Sequence, residues 1–327
     1  MTPLPAPSAA PEAQARRVRF ERPGRPPAVR PADGRIAVLD LAFPAEGAEA
    51  VLAWAGDLGE RLAAWIDHHD HEAWAAVAGD PRFVLVPRAE APACPPLVTP
   101  ERVQGLGPAR TLIAHGDLDG VLAAARWLLL EQELPVPAWL DPDSIAADTR
   151  SGPLSPRGAR LDRALRGLPH KDGLRRALIA SVLHEGRGRD EPPELRERID
   201  RAVGVHERVL RATGEVRGRY ARLLEDLPGA ERACLVDLRP LPGDLRLDLT
   251  ALMLPLQQEA DFVVVLARGR GGRRKIVVST DPARSGLDLR REFGLQGFAP
   301  FRVHVPEAPL LRRLPSPELA RVLGRRL

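Results

Sequence analysis

Thr111-Leu112-Ile113-Ala114-His115-Gly116-Asp117-Leu118-Asp119-Gly120-Val121 decides the fold class. Its first four residues form a short apolar run, the pattern of a strand buried on both faces. The run ends in a polar turn, and Val121 to Glu133 then reads as a helix. Working outward, the same grammar recurs. Arg35-Ile-Ala-Val-Leu-Asp40 is an apolar strand ending in a carboxylate. Ala48 to Leu58 reads as a helix. Leu62 to Ile66 is a second apolar strand, running into Asp67-His68-His69, and Phe83 to Val86 is a third. Buried strands alternating with helices predict an α/β fold, a parallel sheet covered on both faces.

Composition narrows the class. The chain has 327 residues, enough for one large or two ordinary domains. Its two cysteines, Cys94 and Cys234, exclude a disulfide scaffold and a cysteine-built zinc ribbon. They suit a reducing cytoplasm, the expected location. No run approaches a membrane span, and the N-terminus has neither the basic start nor the apolar stretch of a signal peptide. Only Lys171 and Lys275 are lysines among 48 basic residues, so an arginine here says little by itself. The net charge of +4 conceals segments of +3 over residues 1–33, −10 over 34–150 and +11 over the rest. An acidic segment that holds cations, followed by a basic one that gathers an anionic substrate, would account for this.

Residues 1–33 are rich in Pro, Ala and Arg without apolar period, and are expected to be a disordered tail. Residues 34–228 are expected to form the first domain, including a helical linker over 157–226. The boundary is placed at Pro228-Gly229. Residues 229–327 then read as a smaller α/β domain, with strands at Ala233–Val236, Phe262–Ala267 and Lys275–Ser279 and a helix at Leu249–Glu259. Arg268 to Arg274 reads as a turn that lacks P-loop spacing. Trp54, Trp65, Trp74, Trp127 and Trp139 read as packing residues.

The polar residues cluster where the strands end. Asp40, Asp67 and His115 each follow a buried strand, and the carboxyl ends of a parallel sheet form its ligand crevice. His68, His69, Asp117 and Asp119 lie beside them. Mixed Asp/His donors suit Mn²⁺, Mg²⁺ or Fe²⁺ better than a thiolate zinc site. The Asp117–Gly120 turn is no EF-hand loop, because the third carboxylate and the closing glutamate are missing. His71-Glu72 lacks the second histidine of a metalloprotease helix.

Ile66-Asp67-His68-His69 and His115-Gly-Asp117-Leu-Asp119-Gly120-Val-Leu-Ala-Ala resemble two motifs of the DHH phosphoesterase superfamily, which includes RecJ-type exonucleases and oligoribonuclease-like enzymes. Asp40 resembles that family's lone strand-end aspartate. Ile145-Ala-Ala-Asp148-Thr149 resembles its last motif, and Ala91 to Val98 its small-residue stretch after the triplet. The family's His-x-Asp-x-Asp motif precedes the DHH triplet, whereas here it follows. The resemblance covers roughly residues 35–166 and implies two metal ions, Mn²⁺ or Mg²⁺. His115, Asp117 and Asp40 would hold one; Asp119, His68 and Asp148 would hold the other, with Asp40 bridging. Asp67 would orient a neighbouring imidazole, and His69 would face the scissile phosphate. The C-terminal part, from Val277 through Ser279, Arg284 and Ser285 to Phe293-Gly294, resembles the DHH-associated substrate domain. This implies substrate contacts at Ser279, Arg284 and Ser285. Its glycine loop is altered to Gly294-Leu-Gln-Gly297-Phe298.

The expected function is therefore a two-metal phosphoesterase that hydrolyses short single-stranded nucleic acid or nucleotides by metal-activated water. The alternative is a catalytically silent nucleotide- or nucleic-acid-binding module on the same frame. An inorganic pyrophosphatase fits less well, because lysine is nearly absent.

Overall fold

The computed structural model describes residues 9–23, 26–27, 34–44, 47–224, 232–242, 245–268, 274–286, 288–294 and 301–305. The chain divides into two compact units, Met1–His206 and Glu207–Leu327. The division falls inside a long helix rather than at Pro228-Gly229, which lies outside the described residues, as do residues 269–273 and 295–300.

The first unit carries, in chain order, α1 (Pro11–Ala15), β1 (Val18–Glu21), β2 (Ile36–Leu39), α2 (Ala48–Leu58), β3 (Leu62–Asp67), β4 (Phe83–Leu85), α3 (Pro100–Leu106), β5 (Thr111–His115), α4 (Leu118–Glu131), α5 (Leu140–Thr149), α6 (Pro156–Gly167), α7 (Asp172–Gly186) and the start of α8 (Pro193–Tyr220). Its sheet has the order β1-β5-β2-β3-β4. Every pairing is parallel, so all five carboxyl ends lie along one edge. The alternation of side chains builds two cores. Ala37, Leu39, Ile66, Leu112 and Ala114 pack with α4 and α7 on one face. Ile36, Val38, Trp65 and Ile113 pack with Phe43 and α2 on the other. Burying each of these larger side chains stabilises the unit by roughly 1.5–3 kcal/mol. Trp54, Trp65 and Trp127 are buried, and Trp74 and Trp139 pack at the edges of these cores.

The expectation of a disordered tail over 1–33 does not hold for residues 11–21. β1 pairs with β5 from Val18↔Leu112 to Glu21↔His115. Arg17 is buried, with Nη1 2.6 Å from Glu131 Oε2, and Arg175 lies over the Phe20 ring. The Pro/Ala/Arg composition hid a short strand in which Val18 is buried and Phe20 half-buried, Arg19 is exposed, and the buried Arg17 finds a partner in Glu131.

The second unit continues α8 and adds β6 (Ala221–Leu224), β7 (Ala233–Asp237), α9 (Leu249–Gln257), β8 (Phe262–Arg268), β9 (Arg274–Ser279), α10 (Pro282–Ser285), α11 (Leu289–Phe293) and β10 (Arg302–Val305). Helix was expected through residue 226, but the chain turns into β6 after Tyr220. The sheet order is β10-β9-β8-β7-β6, with β7 and β8 parallel and the other pairs antiparallel. The expected α/β class with a smaller second α/β unit is therefore observed. No helix among the described residues is long and apolar enough to cross a membrane.

Candidate metal centre

The strand order brings the sequence-distant residues together. β2 lies between β5 and β3, so Asp40, immediately after β2, sits between the ends of both neighbours. The Asp40 N–H extends the ladder by donating to Ile66 O at 2.9 Å. Its backbone then turns left-handed, at φ 55°, a conformation uncommon outside glycine that Asp tolerates better than most residues.

On the β3 side, His68 is fully buried. Its Nδ1 lies 2.9 Å from Ala91 O, and a carbonyl can only accept, so Nδ1 carries the proton. Nε2 then faces Asp40 Oδ1 and Asp119 Oδ2, each at 3.4 Å. Asp119 lies in the first turn of α4, and its Oδ2 accepts the Cys94 N–H at 2.9 Å. The Ala91–Cys94 loop thus aims both an imidazole and a carboxylate with backbone groups. Its small residues allow that close approach, Ala93 and Cys94 being fully buried. The Cys94 thiol itself is pushed up by burial, and is an inert packing group.

On the β5 side, His115 Nδ1 lies 3.0 Å from Asp117 Oδ2 and 3.8 Å from Asp40 Oδ2. Asp117 also caps α4, its Oδ1 accepting the Gly120 N–H at 3.1 Å. Side-chain exposure is 29% for His115 and 42% for Asp117, against 0% for His68 and 2% for Asp119. Solvent therefore reaches the site from the β5 side.

His69 Nδ1 donates to Asp67 Oδ1 at 2.7 Å, which leaves its Nε2 as the available nitrogen. Asp148 comes from helix α5 rather than a strand end, and its Oδ2 is paired with Arg88 Nη1. His71 stands apart from this chemistry. Its Nε2 donates to Pro44 O at 2.7 Å and its Nδ1 accepts the Ala73 N–H at 3.0 Å, so both ring nitrogens are used structurally.

Two sets of donors that could each hold an ion result: Asp40, His115 and Asp117, and His68, Asp119 and Asp148. Within each set the ligand atoms lie within 4.8 Å of one another, and Asp40 also groups with His68 and His69. Five buried atoms here have no hydrogen-bond partner among the described residues: both oxygens of Asp40, Asp67 Oδ2, His68 Nε2 and Asp119 Oδ1. Buried polar atoms are rarely left unpaired, and five in one cluster make a set that a cation could satisfy. The electrostatics agree. Burial, then the charges of Asp119 and Asp117, push the Asp40 carboxyl well above its usual range. Burial raises Asp119 as well. Burial opposes a charge on His68, but Asp119 and Asp40 outweigh it and push the imidazole up to about 11. Burial likewise opposes the charge on Asp117, yet the neighbouring His115 holds that carboxyl well below the carboxylate range. The repulsion among these buried carboxylates is of the kind that a divalent ion would relieve.

Of the second unit's expected substrate contacts, Ser279 is fully buried, accepting from Gln257 Nε2 at 2.7 Å and donating to Phe301 O at 3.1 Å. Ser285 Oγ lies 2.7 Å from Thr280 Oγ1. Arg284 Nε donates to Asp261 Oδ1 at 3.0 Å. All three are engaged within the unit. The altered glycine loop after Gly294 and Phe298 lie outside the described residues.

Sequence reasoning missed three arginines at the first unit's site. Arg88 pairs with Asp148. Arg175 ties down the turn after β5 by donating to Gly116 O at 2.9 Å. Arg150 follows Asp148 by two residues, at the end of α5. Only the proximity of Arg150 to Asp148-Thr149 was a usable signal.

No family model and no curated protein matches the chain. Among solved structures it is similar to a pGpG-specific phosphodiesterase, PggH, from Vibrio cholerae, with TM-score 0.43 and 11% identity, over 90% of this chain and 99% of that one.

Proposed function

We propose that this chain is a metal-dependent phosphoesterase acting on phosphodiester or phosphomonoester bonds. The observation that carries the reading is the pair of adjacent donor sets, with Asp40 in one and 3.4 Å from His68 of the other, and its unpartnered buried oxygens. The donor types are hard oxygens and neutral imidazole, which suit Mn²⁺ or Mg²⁺. Asp40, His115 and Asp117 would hold one ion and His68, Asp119 and Asp148 the other. Ions held there would supply a clamp for phosphoryl oxygens and a water acidic enough to attack at neutral pH.

The chain's own groups account for the remaining work. Asp67 accepts the Nδ1 proton of His69 and fixes its tautomer, so that Nε2 faces the crevice at the substrate's leaving oxygen. Once protonated, His69 donates that proton as the bond breaks, and the buried Asp67 stabilises the imidazolium. Ala91 O holds the His68 ring in the orientation a metal ligand needs. The acidic residues near the site repel a bare phosphate, which makes substrate binding conditional on metal loading.

A nucleotide or short single-stranded nucleic acid is the proposed substrate class, supported by the +11 charge of residues 151–327. Arg284 and Ser285 remain the proposed substrate side of the second unit, Ser279 being fully buried with its hydroxyl engaged, and the cytoplasm the proposed location. The test is hydrolysis with and without Mn²⁺ over oligonucleotides, linear and cyclic dinucleotides, pAp and pyrophosphate. His68→Ala and Asp117→Ala serve as controls. Mn²⁺-dependent turnover lost in both variants is expected. Full metal-dependent activity in Asp117→Ala refutes the ligand assignment. Silence over the whole panel, with two ions bound, favours the silent binding module.

A further inference from the structure

A phosphoryl substrate needs a cation that is not already engaged. The arginines around the site differ in this respect. Arg88 is paired with Asp148. Arg166 Nε lies 2.7 Å from Asp162 Oδ2. Arg175 is bound to Asp172 at 2.8 Å and to Gly116 O at 2.9 Å. In the second unit Arg284 is held by Asp261. Arg150 has no hydrogen bond or ion pair among the described residues. Burial and the neighbouring charge of Arg166 weaken its hold on its proton, and the carboxylates of Asp162, Asp148 and Asp117 act the other way, the last two coming from one donor set each.

The backbone at Arg150 carries an independent signal. It closes α5 in the left-handed region, at φ 59° and ψ 27°. Helices ending this way normally place glycine there. Only three non-glycine described residues have positive φ: Asp40, Glu133 and Arg150. Two of these three are at the metal centre. A strained backbone at a site is retained when the side chain it presents does something glycine cannot. Here that side chain is a half-buried cation, without an ion pair among the described residues, at the end of the helix that carries Asp148.

We propose that Arg150 is the residue of the first unit that contacts the substrate phosphate, donating its guanidinium hydrogens to non-bridging oxygens once metal ions occupy the carboxylates. The assignment rests on the phosphoesterase reading for its substrate. Arg88 has the complementary task of holding Asp148 in place. A guanidinium matches a phosphoryl group with two parallel hydrogen bonds, which lysine cannot reproduce.

The test compares Arg150→Gly, Arg150→Lys and wild type as full-length, Mn²⁺-loaded proteins, with inorganic phosphate as the probe in titration calorimetry. Arg150→Gly should bind Mn²⁺ as wild type does but lose about 10- to 100-fold in phosphate affinity, the usual scale for a charged hydrogen bond. Arg150→Lys should lie between. Glycine relieves the left-handed backbone, so the melting temperature of Arg150→Gly should stay level or rise. A purely structural arginine would lower it. Arg88→Ala should show the opposite pattern, with weakened Mn²⁺ binding first. Unchanged phosphate affinity in Arg150→Gly overturns the assignment, as does a Mn²⁺-loaded wild type that binds no phosphate. Phosphate bound through Arg150 without turnover of any panel substrate upholds the assignment and refutes the phosphoesterase reading.

Discussion

Gly120→Ala tests whether the close packing of α4 on β5 sets the site's geometry. Gly120 is the third residue of α4, and its N–H is the one that Asp117 caps. A Cβ at this position would lie 2.4 Å from His115 O and 2.9 Å from His115 C and N, all backbone atoms that cannot rotate away. Ordinary contact begins near 3.4 Å, so the helix start must back away from the strand by roughly 1 Å. That start carries Asp119 of one donor set and the cap Asp117 of the other, and His115 is the strand residue it presses upon. Such sites tolerate about 0.5 Å, and a 1 Å displacement can cost about 100-fold in rate. Overpacking of this kind also destabilises by about 1–3 kcal/mol, several degrees in melting temperature for a unit of this size. The assays are a thermal melt by circular dichroism and Mn²⁺ titration calorimetry. Gly56→Ala is the control. Gly56 lies within α2 with nothing within 4 Å of its would-be Cβ, and alanine there should stabilise by about 0.5–1 kcal/mol. Wild-type melting and wild-type Mn²⁺ affinity in Gly120→Ala would refute the reasoning.

Three further outcomes follow from the same geometry. His68 has a folded pKa of about 11 against an ordinary 6.5, so its contribution to metal-free stability is full below 6.5 and lost as the pH rises through about 11. Mn²⁺ needs the neutral ring, so loading should release a proton and tighten as pH rises; calorimetry in buffers of different ionisation enthalpy would read the release, and a buffer-independent heat would contradict it. Asp40→Asn keeps the side-chain size and tolerates the left-handed backbone, but removes a charge that belongs to one donor set and lies 3.4 Å from His68 of the other. It should lower bound Mn²⁺ measured by elemental analysis at both positions, and loss of a single ion would show that Asp40 serves one set only. Deleting residues 1–21 removes β1, the buried Val18 and the Arg17–Glu131 pair; it should abolish soluble expression or lower the melting temperature by on the order of 10 °C, whereas a disordered tail would leave both unchanged.

β2, β3 and β5 were legible because each is a continuous apolar run that ends at a polar residue. The residues that end β2, β3 and β5 could therefore be placed at one sheet edge before any coordinates. β1 was not legible, because four residues in a Pro/Arg-rich segment carry too little periodicity to compete with composition. The backbone partners of His68 and Asp119 were also invisible. Ala91 O and the Cys94 N–H belong to every sequence, and only the loop's path makes them special. Arg88 and Arg150 were hidden for a statistical reason: where nearly every cation is arginine, none stands out. Their distinction is one of pairing, which only coordinates reveal.

The shared position of Asp40 explains why the order of motifs along the chain matters so little. A donor set is defined by which strand ends are neighbours, and β5-β2-β3 are neighbours through backbone ladders that do not record which strand was made first. His115 and Asp117 come from the last of the three strands in sequence, yet flank Asp40 on one side as His68 from the middle strand does on the other. Because all three strands run parallel, their polar termini must share an edge in any chain order that preserves this adjacency. A chain that made the His115–Asp119 segment before the Asp67–His69 segment would therefore need only different crossovers to bring the same donors together. What cannot be moved is the central strand. Asp40, following β2, lies 3.4 Å from His68 Nε2 on the β3 side and 3.8 Å from His115 Nδ1 on the β5 side. Asp40 is thus the single carboxylate whose loss the strand order cannot compensate.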